Sequence, residues 1–133
     1  MKLRLAGAGD LALLVGQGPD FFAGAHPAVP RPTPARLAPF IESALARGVV
    51  AILEDPAYVG SVALELAAWD WSDALALRDR WLHVVADRRG GQAARQLIRF
   101  GLALARRRGV PLYLGNSMGN GRARLFNAAR RRV

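Results

Sequence analysis

The sequence predicts an α/β fold, and three observations carry that expectation. Apolar residues recur at helical spacing in two long segments that end at Gly48 and Gly109. Three apolar, β-rich segments lie between those helices, within residues 48–86. They follow one another with only turns between them, which is the order of an antiparallel meander. A length of 133 residues suffices for one domain with a core of its own, so a single domain over 1–133 is expected.

Each element has its own justification. Leu3–Ala6 is a short strand, and "GDLALLVGQG" is a short helix that Asp10 caps and Gly16 or Gly18 closes. Residues 19–34 hold five of the eight prolines and form a stiff irregular loop. Phe21 and Phe22 anchor that loop to the core or line a pocket. "TPARLAPFIESALARG" is a helix with Thr33 as N-cap, Pro34 in the first turn and Gly48 as stop. Its buried face is Leu37, Phe40, Ile41, Ala44 and Leu45, and Pro39 either kinks it or marks its start. Two strands follow, joined by a turn at Glu54–Ala57. A third strand, "RDRWLHVVAD", puts Trp81, His83 and Val85 on one face and Leu82 and Val84 on the other.

The next helix starts after two arginines and two glycines. Its expected buried stripe is Ala94, Ile98, Gly101, Leu102 and Ala105, with Arg95, Arg99 and Arg106 opposite. Gly101 is expected to mark close packing. "VPLYLGNS" is a fifth strand, and "NGRARLFNAARRR" is a final basic helix.

Composition narrows the function. Hydrophobic residues at 52% and charged residues at 22% exclude a disordered or fibrous chain. The absence of cysteine excludes disulfides, thiolate metal sites and thiol nucleophiles. Residues 1–70 hold five basic and seven acidic side chains, against fourteen and three in residues 71–133, so the net charges are −2 and +11. The second half attracts anions: nucleic acid, an acidic membrane surface or a nucleotide-like polyanion. No apolar run reaches the 18 or so residues a membrane span needs, and Asp10 interrupts what a signal peptide would keep apolar. A cytoplasmic protein without membrane attachment is expected.

The stretch "ADRRGGQAARQLIRFGLALARRRGV" carries the functional signal. A helix start leaves about four N–H groups without partners, and small residues let a ligand approach them. That describes an anion site. Neither the dinucleotide-binding nor the P-loop glycine pattern occurs.

In this context the order of elements, with Trp81–Leu114, resembles the GNAT superfamily of N-acetyltransferases. The resemblance implies a mixed, mostly antiparallel central sheet flanked by about four helices, as in acyl-CoA N-acyltransferases. It implies a Q/R-x-x-G-x-G/A turn whose amides hold the pyrophosphate of acetyl-CoA. Read literally, Arg88, Arg89, Gly90, Gly91, Gln92 and Ala93 satisfy that pattern. A second register begins at Arg89, puts Gln92 in place of the central glycine and ends on Ala94; it keeps the expected stripe in phase and is the favoured one.

The resemblance further implies acetyl transfer from acetyl-CoA, as co-substrate, to an amine acceptor in a ternary complex. Strand backbone at Val84 and Val85 would hold the pantetheine arm, and Asn120 echoes a family position near the coenzyme. Glu65 and His83 are the candidate bases. The family's tyrosine acid is replaced by Phe126, so Tyr113 or solvent would protonate the thiolate. The Pro-rich loop with Phe21, Phe22 and His26 would wall the acceptor side, and a small or partly hydrophobic amine is expected. The resemblance also implies two more strands past the last helix, where this chain reads Arg131-Arg132-Val133. That leaves Val110–Gly115 as a sheet edge, and a homodimer through it is expected. Two rivals remain: a coenzyme binder without turnover, and a nucleic-acid binder using the basic second half, which lacks interleaved aromatics.

Overall fold

The computed structural model describes residues 1–23, 27–115 and 124–126. Six strands form one sheet in the order β1 (Lys2–Leu5), β2 (Val49–Glu54), β3 (Tyr58–Ala68), β4 (Leu75–Val84), β5 (Leu112–Leu114), β6 (Arg124–Phe126). All neighbours are antiparallel except β4 and β5, which run parallel. Helices α1 (Leu11–Gln17) and α2 (Pro34–Arg47) cover one face and α3 (Ala93–Arg108) the other. This is the mixed, mostly antiparallel α/β sheet that the family resemblance implies.

The alternation along β2 shows why its apolar run is continuous. Val50 and Ile52 pack under α1 and α2 with Ala63 and Trp81, whereas Ala51 and Leu53 join Val62, Leu64 and Leu97 under α3. A strand covered on both faces has no polar side to show. Trp81, Leu82, His83 and Val84 divide between the faces as the sequence predicts.

Three expectations need correction. The stripe of α3 is centred on Ala93, Leu97, Gly101 and Ala105, with Ala94, Ile98 and Leu102 only partly buried beside it. The stripe therefore starts one residue earlier than expected, and the phase argument for an Arg89-led register becomes one for the literal register. Next, Arg124–Phe126 is a strand paired with β5, not part of a helix, so three α-helices rather than about four flank the sheet among the described residues. Phe126 lies opposite Leu112 and packs on the α3-side core. Finally, β6 occupies the edge of β5, which removes the ground on which a homodimer was expected.

Gly101 meets its expectation. A Cβ there would stand 3.2 Å from Leu112 Cδ2 and 3.3 Å from Leu64 Cδ1. Gly101→Leu should lower stability by about 1–3 kcal/mol through overpacking; a urea midpoint unchanged from wild type would refute that close fit. Helix α3 closes at Gly109, where φ is +66° and Val110 N–H reaches back to the Ala105 carbonyl, a left-handed stop that suits glycine.

Candidate functional site

Strand β4 positions the site through one extra residue. Ala63 pairs with Trp81 but Leu64 with Asp79, so Arg80 is a bulge and bends the strand locally. β5 pairs with β4 only at Leu77 and Arg78, before the bulge. Next to that pair, the buried Asp79 carboxylate accepts the Gly115 N–H at 2.9 Å. From there the two strands part. Val85 donates to Val59 and its carbonyl accepts from Arg88, so both its backbone groups are used. By antiparallel alternation, Leu82 and Val84 turn their N–H and C=O groups toward the opening between β4 and β5. Leu82 is thus a backbone position that the sequence reading missed, and Val85 offers no free group.

At the end of this edge lies the glycine turn. Gly90 has φ +83°, and a Cβ on Gly91 would meet nothing nearer than the Arg88 carbonyl at 3.7 Å. Helix α3 begins at Ala93 with Gln92 as its N-cap. The N–H groups of residues 90–95 have no acceptor among the described residues. Several unpaired donors at the positive end of a 16-residue helix give this turn the geometry and potential that suit an anion. A cleft of about 220 Å³ adjoins it, lined by Leu82, His83, Val84, Arg89, Gly90 and Ala94 among others. Arg88 pairs with Asp55 at 2.7 Å, on the β2–β3 turn. Arg89 donates through Nε to the Val84 carbonyl at 2.7 Å and through Nη2 to Asp20 at 2.8 Å.

Asp20 is the hub that sequence reasoning missed, because its partners lie more than 60 residues away. It accepts from His83 Nε2 at 2.7 Å, while His83 Nδ1 meets the Tyr58 hydroxyl at 2.8 Å. A carboxylate only accepts, so Nε2 carries the hydrogen and Tyr58 donates to Nδ1. Tyr58 in turn contacts Ser61, which accepts from Trp81 Nε1 at 2.9 Å. His83 is 2% exposed. Burial pushes its pKa down, opposed by Asp20 and helped by Arg89, and burial raises that of Tyr58. The folded protein therefore favours neutral His83, a contribution to stability that is complete above the unfolded value near 6.5 and is lost as pH falls through the lower folded value. Thermal melts between pH 7.5 and 5 should show a decline that His83→Gln lacks; a wild type equally stable across that range would contradict the assignment.

On the α2 face a cavity of about 1100 Å³ opens, with Phe22, Val29, Pro30 and Phe40 among its walls and Arg80 and Gly115 at its inner end. The Pro-rich loop and Phe22 thus line a pocket, while Phe21 stacks on Trp81 at 4.6 Å. Glu65 accepts from Arg80 at 2.5 Å, and the Arg80 guanidinium lies 4.9 Å from the centre of the Phe40 ring. Tyr113 packs edge-on against Trp69 at 5.2 Å. Its ring lies against Gly115, with the hydroxyl 3.0 Å from where a Cβ there would stand. Glu65 thus lies beside Arg80, and Tyr113 beside Gly115, two residues that line the large cavity. His83 lies with the smaller cleft, while His26 and Asn120 fall outside the described residues. Among the described residues no metal-ligating cluster is present, and no helix is long and apolar enough to cross a membrane.

Comparison with known structures fits this geometry. A protein from Clostridium acetobutylicum named as a predicted acetyltransferase, solved with acetyl-CoA, superposes with a TM-score of 0.70 at 17% identity over 91% of this chain and 83% of its own. The ribosomal-protein-alanine N-acetyltransferase of Brucella melitensis biovar Abortus 2308 gives 0.65 at 18% identity over 88% and 79%. A protein of Arthrobacter sp. FB24 described as a "putative acetyltransferase" gives 0.63 at 26% identity over 86% and 72%. No family model and no curated protein matches the sequence, so the likeness is one of structure. The chain has the α/β acyl-CoA N-acyltransferase fold of the GNAT acetyltransferases.

Proposed function

We propose that the protein is an acetyl-CoA-dependent N-acetyltransferase, and that acetyl passes directly to an amine held in the large cavity. The observation that supports this most is the run of unpaired N–H donors from Gly90 to Arg95 beside the parted strands β4 and β5. The donors fit a pyrophosphate, and the outward N–H of Val84 with the N–H and C=O of Leu82 fit the amides of a pantetheine arm. Val84 and Arg80 are about 13 Å apart along the strand, a span that carries an extended arm from the turn to the cavity.

Bound acetyl-CoA supplies the acetyl group as a thioester. The amine nitrogen bonds to the acetyl carbon as the C–S bond breaks, one proton leaves the nitrogen and one joins the sulfur. Glu65 is the base in this reading, because its carboxylate bonds Arg80, a residue that lines the cavity. Tyr113 is the donor to the thiolate, since its hydroxyl reaches the end of β5. His83, buried with both nitrogens bonded, holds Asp20 and through it Arg89. A cytoplasmic location goes with this reading, as does a single domain.

Release of free coenzyme A should require both the protein and an amine, with the acetylated amine seen by mass spectrometry. Tyr113→Phe should lower kcat about 10- to 100-fold with little change in the KM for acetyl-CoA. Absence of turnover with a broad amine panel would overturn the assignment.

A further inference from the structure

The large cavity also carries a charge signature. Among the described residues its ionisable lining is Arg31, Arg36 and Arg80, and no aspartate or glutamate lines it. Arg80 gives one N–H to Glu65, and its position on Phe40 keeps the guanidinium at the inner end. Arg31 and Arg36 are exposed at the loop and at the start of α2, without an ion pair among the described residues. Pro39, a second wall residue, has no N–H to give the Ala35 carbonyl, and both line the cavity. The guanidiniums beside these residues are suited to an anion. A guanidinium binds carboxylate or phosphate through paired, charge-assisted hydrogen bonds. A polyamine entering the same cavity meets three like charges and no carboxylate among the described wall residues.

We propose that the acceptor is an amine with an apolar body and an acidic group, carboxylate or phosphate. This rests on the transferase reading and names its substrate class. The acidic group sits among the three arginines while the amine nitrogen takes the acetyl group and gives up a proton, the thiolate taking one.

The test compares L-phenylalanine, L-phenylalaninamide, phenethylamine and spermidine as acceptors with acetyl-CoA. The acid should exceed the amide in kcat/KM by at least about tenfold, and the Arg31→Gln, Arg36→Gln double variant should shrink that ratio to about threefold or less. An amide, phenethylamine or spermidine that equals or beats the acid would overturn the proposal while leaving the transferase reading intact. If no amine is acetylated, the transferase reading fails, and calorimetric binding of N-acetyl-L-phenylalanine against its amide decides the acid site alone. Preference for the acid supports it, and equal or absent binding overturns it.

Discussion

Gly91→Glu should weaken acetyl-CoA binding about 100-fold or more without unfolding the protein. The glycine is exposed, its φ is not in the left-handed region, and a Cβ would only touch the Arg88 carbonyl at ordinary contact distance. The native fold therefore tolerates the side chain. What the side chain meets is the ligand: a carboxylate at the N–H cradle repels a pyrophosphate and covers its donors. Hydrogen bonds to charged groups contribute about 1.5–3 kcal/mol each, so the loss of one or two accounts for a change near 3 kcal/mol, or about 100-fold. Gly91→Ala, which adds bulk without charge, should cost much less. Calorimetry on both variants, with circular dichroism to confirm folding, reads the difference. Equal affinities in wild type and Gly91→Glu would remove the cradle from the coenzyme site.

Trp81→Ala is the stability counterpart. The indole is fully buried, stacks on Phe21 at 4.6 Å, contacts Phe40 at 5.7 Å between ring centres and donates to Ser61. Truncation of a buried tryptophan costs about 3–5 kcal/mol, a large share of the 5–15 kcal/mol typical of folded proteins. The loss also strips a donor from the fully buried Ser61, and so disturbs Tyr58 and His83. Trp81→Phe keeps much of the packing and loses only the donor, so it should cost distinctly less. Urea unfolding followed by circular dichroism gives both values, and a loss under about 1 kcal/mol for the alanine variant would contradict the core described here.

Much of the fold was legible because periodicity and punctuation agree. Pro34 and Gly48 bracket α2, and the three strands of the meander follow without a helix between them. The errors have physical causes. The stripe of α3 was placed one residue late because Ala93, Ala94, Leu97 and Ile98 are all apolar, and only the close approach of Gly101 to Leu64 and Leu112 sets the phase. Residues 124–126 read as helix from the alanines and arginines around them, but pairing with β5 decides a three-residue segment, and such pairing is invisible to local propensity.

The candidate site divides in the same way. The glycine turn was readable, since local residue types make an anion cradle. Asp20 was not, since a lone aspartate in "GPDFF" gains its role only when His83 and Arg89 fold onto it. The bulge at Arg80 likewise leaves no mark in the sequence. Yet it marks where β4 and β5 part, and Arg80 there lines the larger cavity while Leu82 and Val84 turn toward the opening.

The most direct measurement is calorimetric titration of the wild-type protein with acetyl-CoA, beside 3′-dephospho-coenzyme A and a short DNA duplex, at moderate and high salt. Saturable acetyl-CoA binding that survives high salt and does not depend on the 3′-phosphate is the predicted result, because the cradle acts on the pyrophosphate through fixed backbone donors. No heat with either coenzyme, together with DNA binding that falls steeply with salt, would mean that the acyltransferase fold serves nucleic acid here and that the turn at Gly90–Arg95 holds no coenzyme.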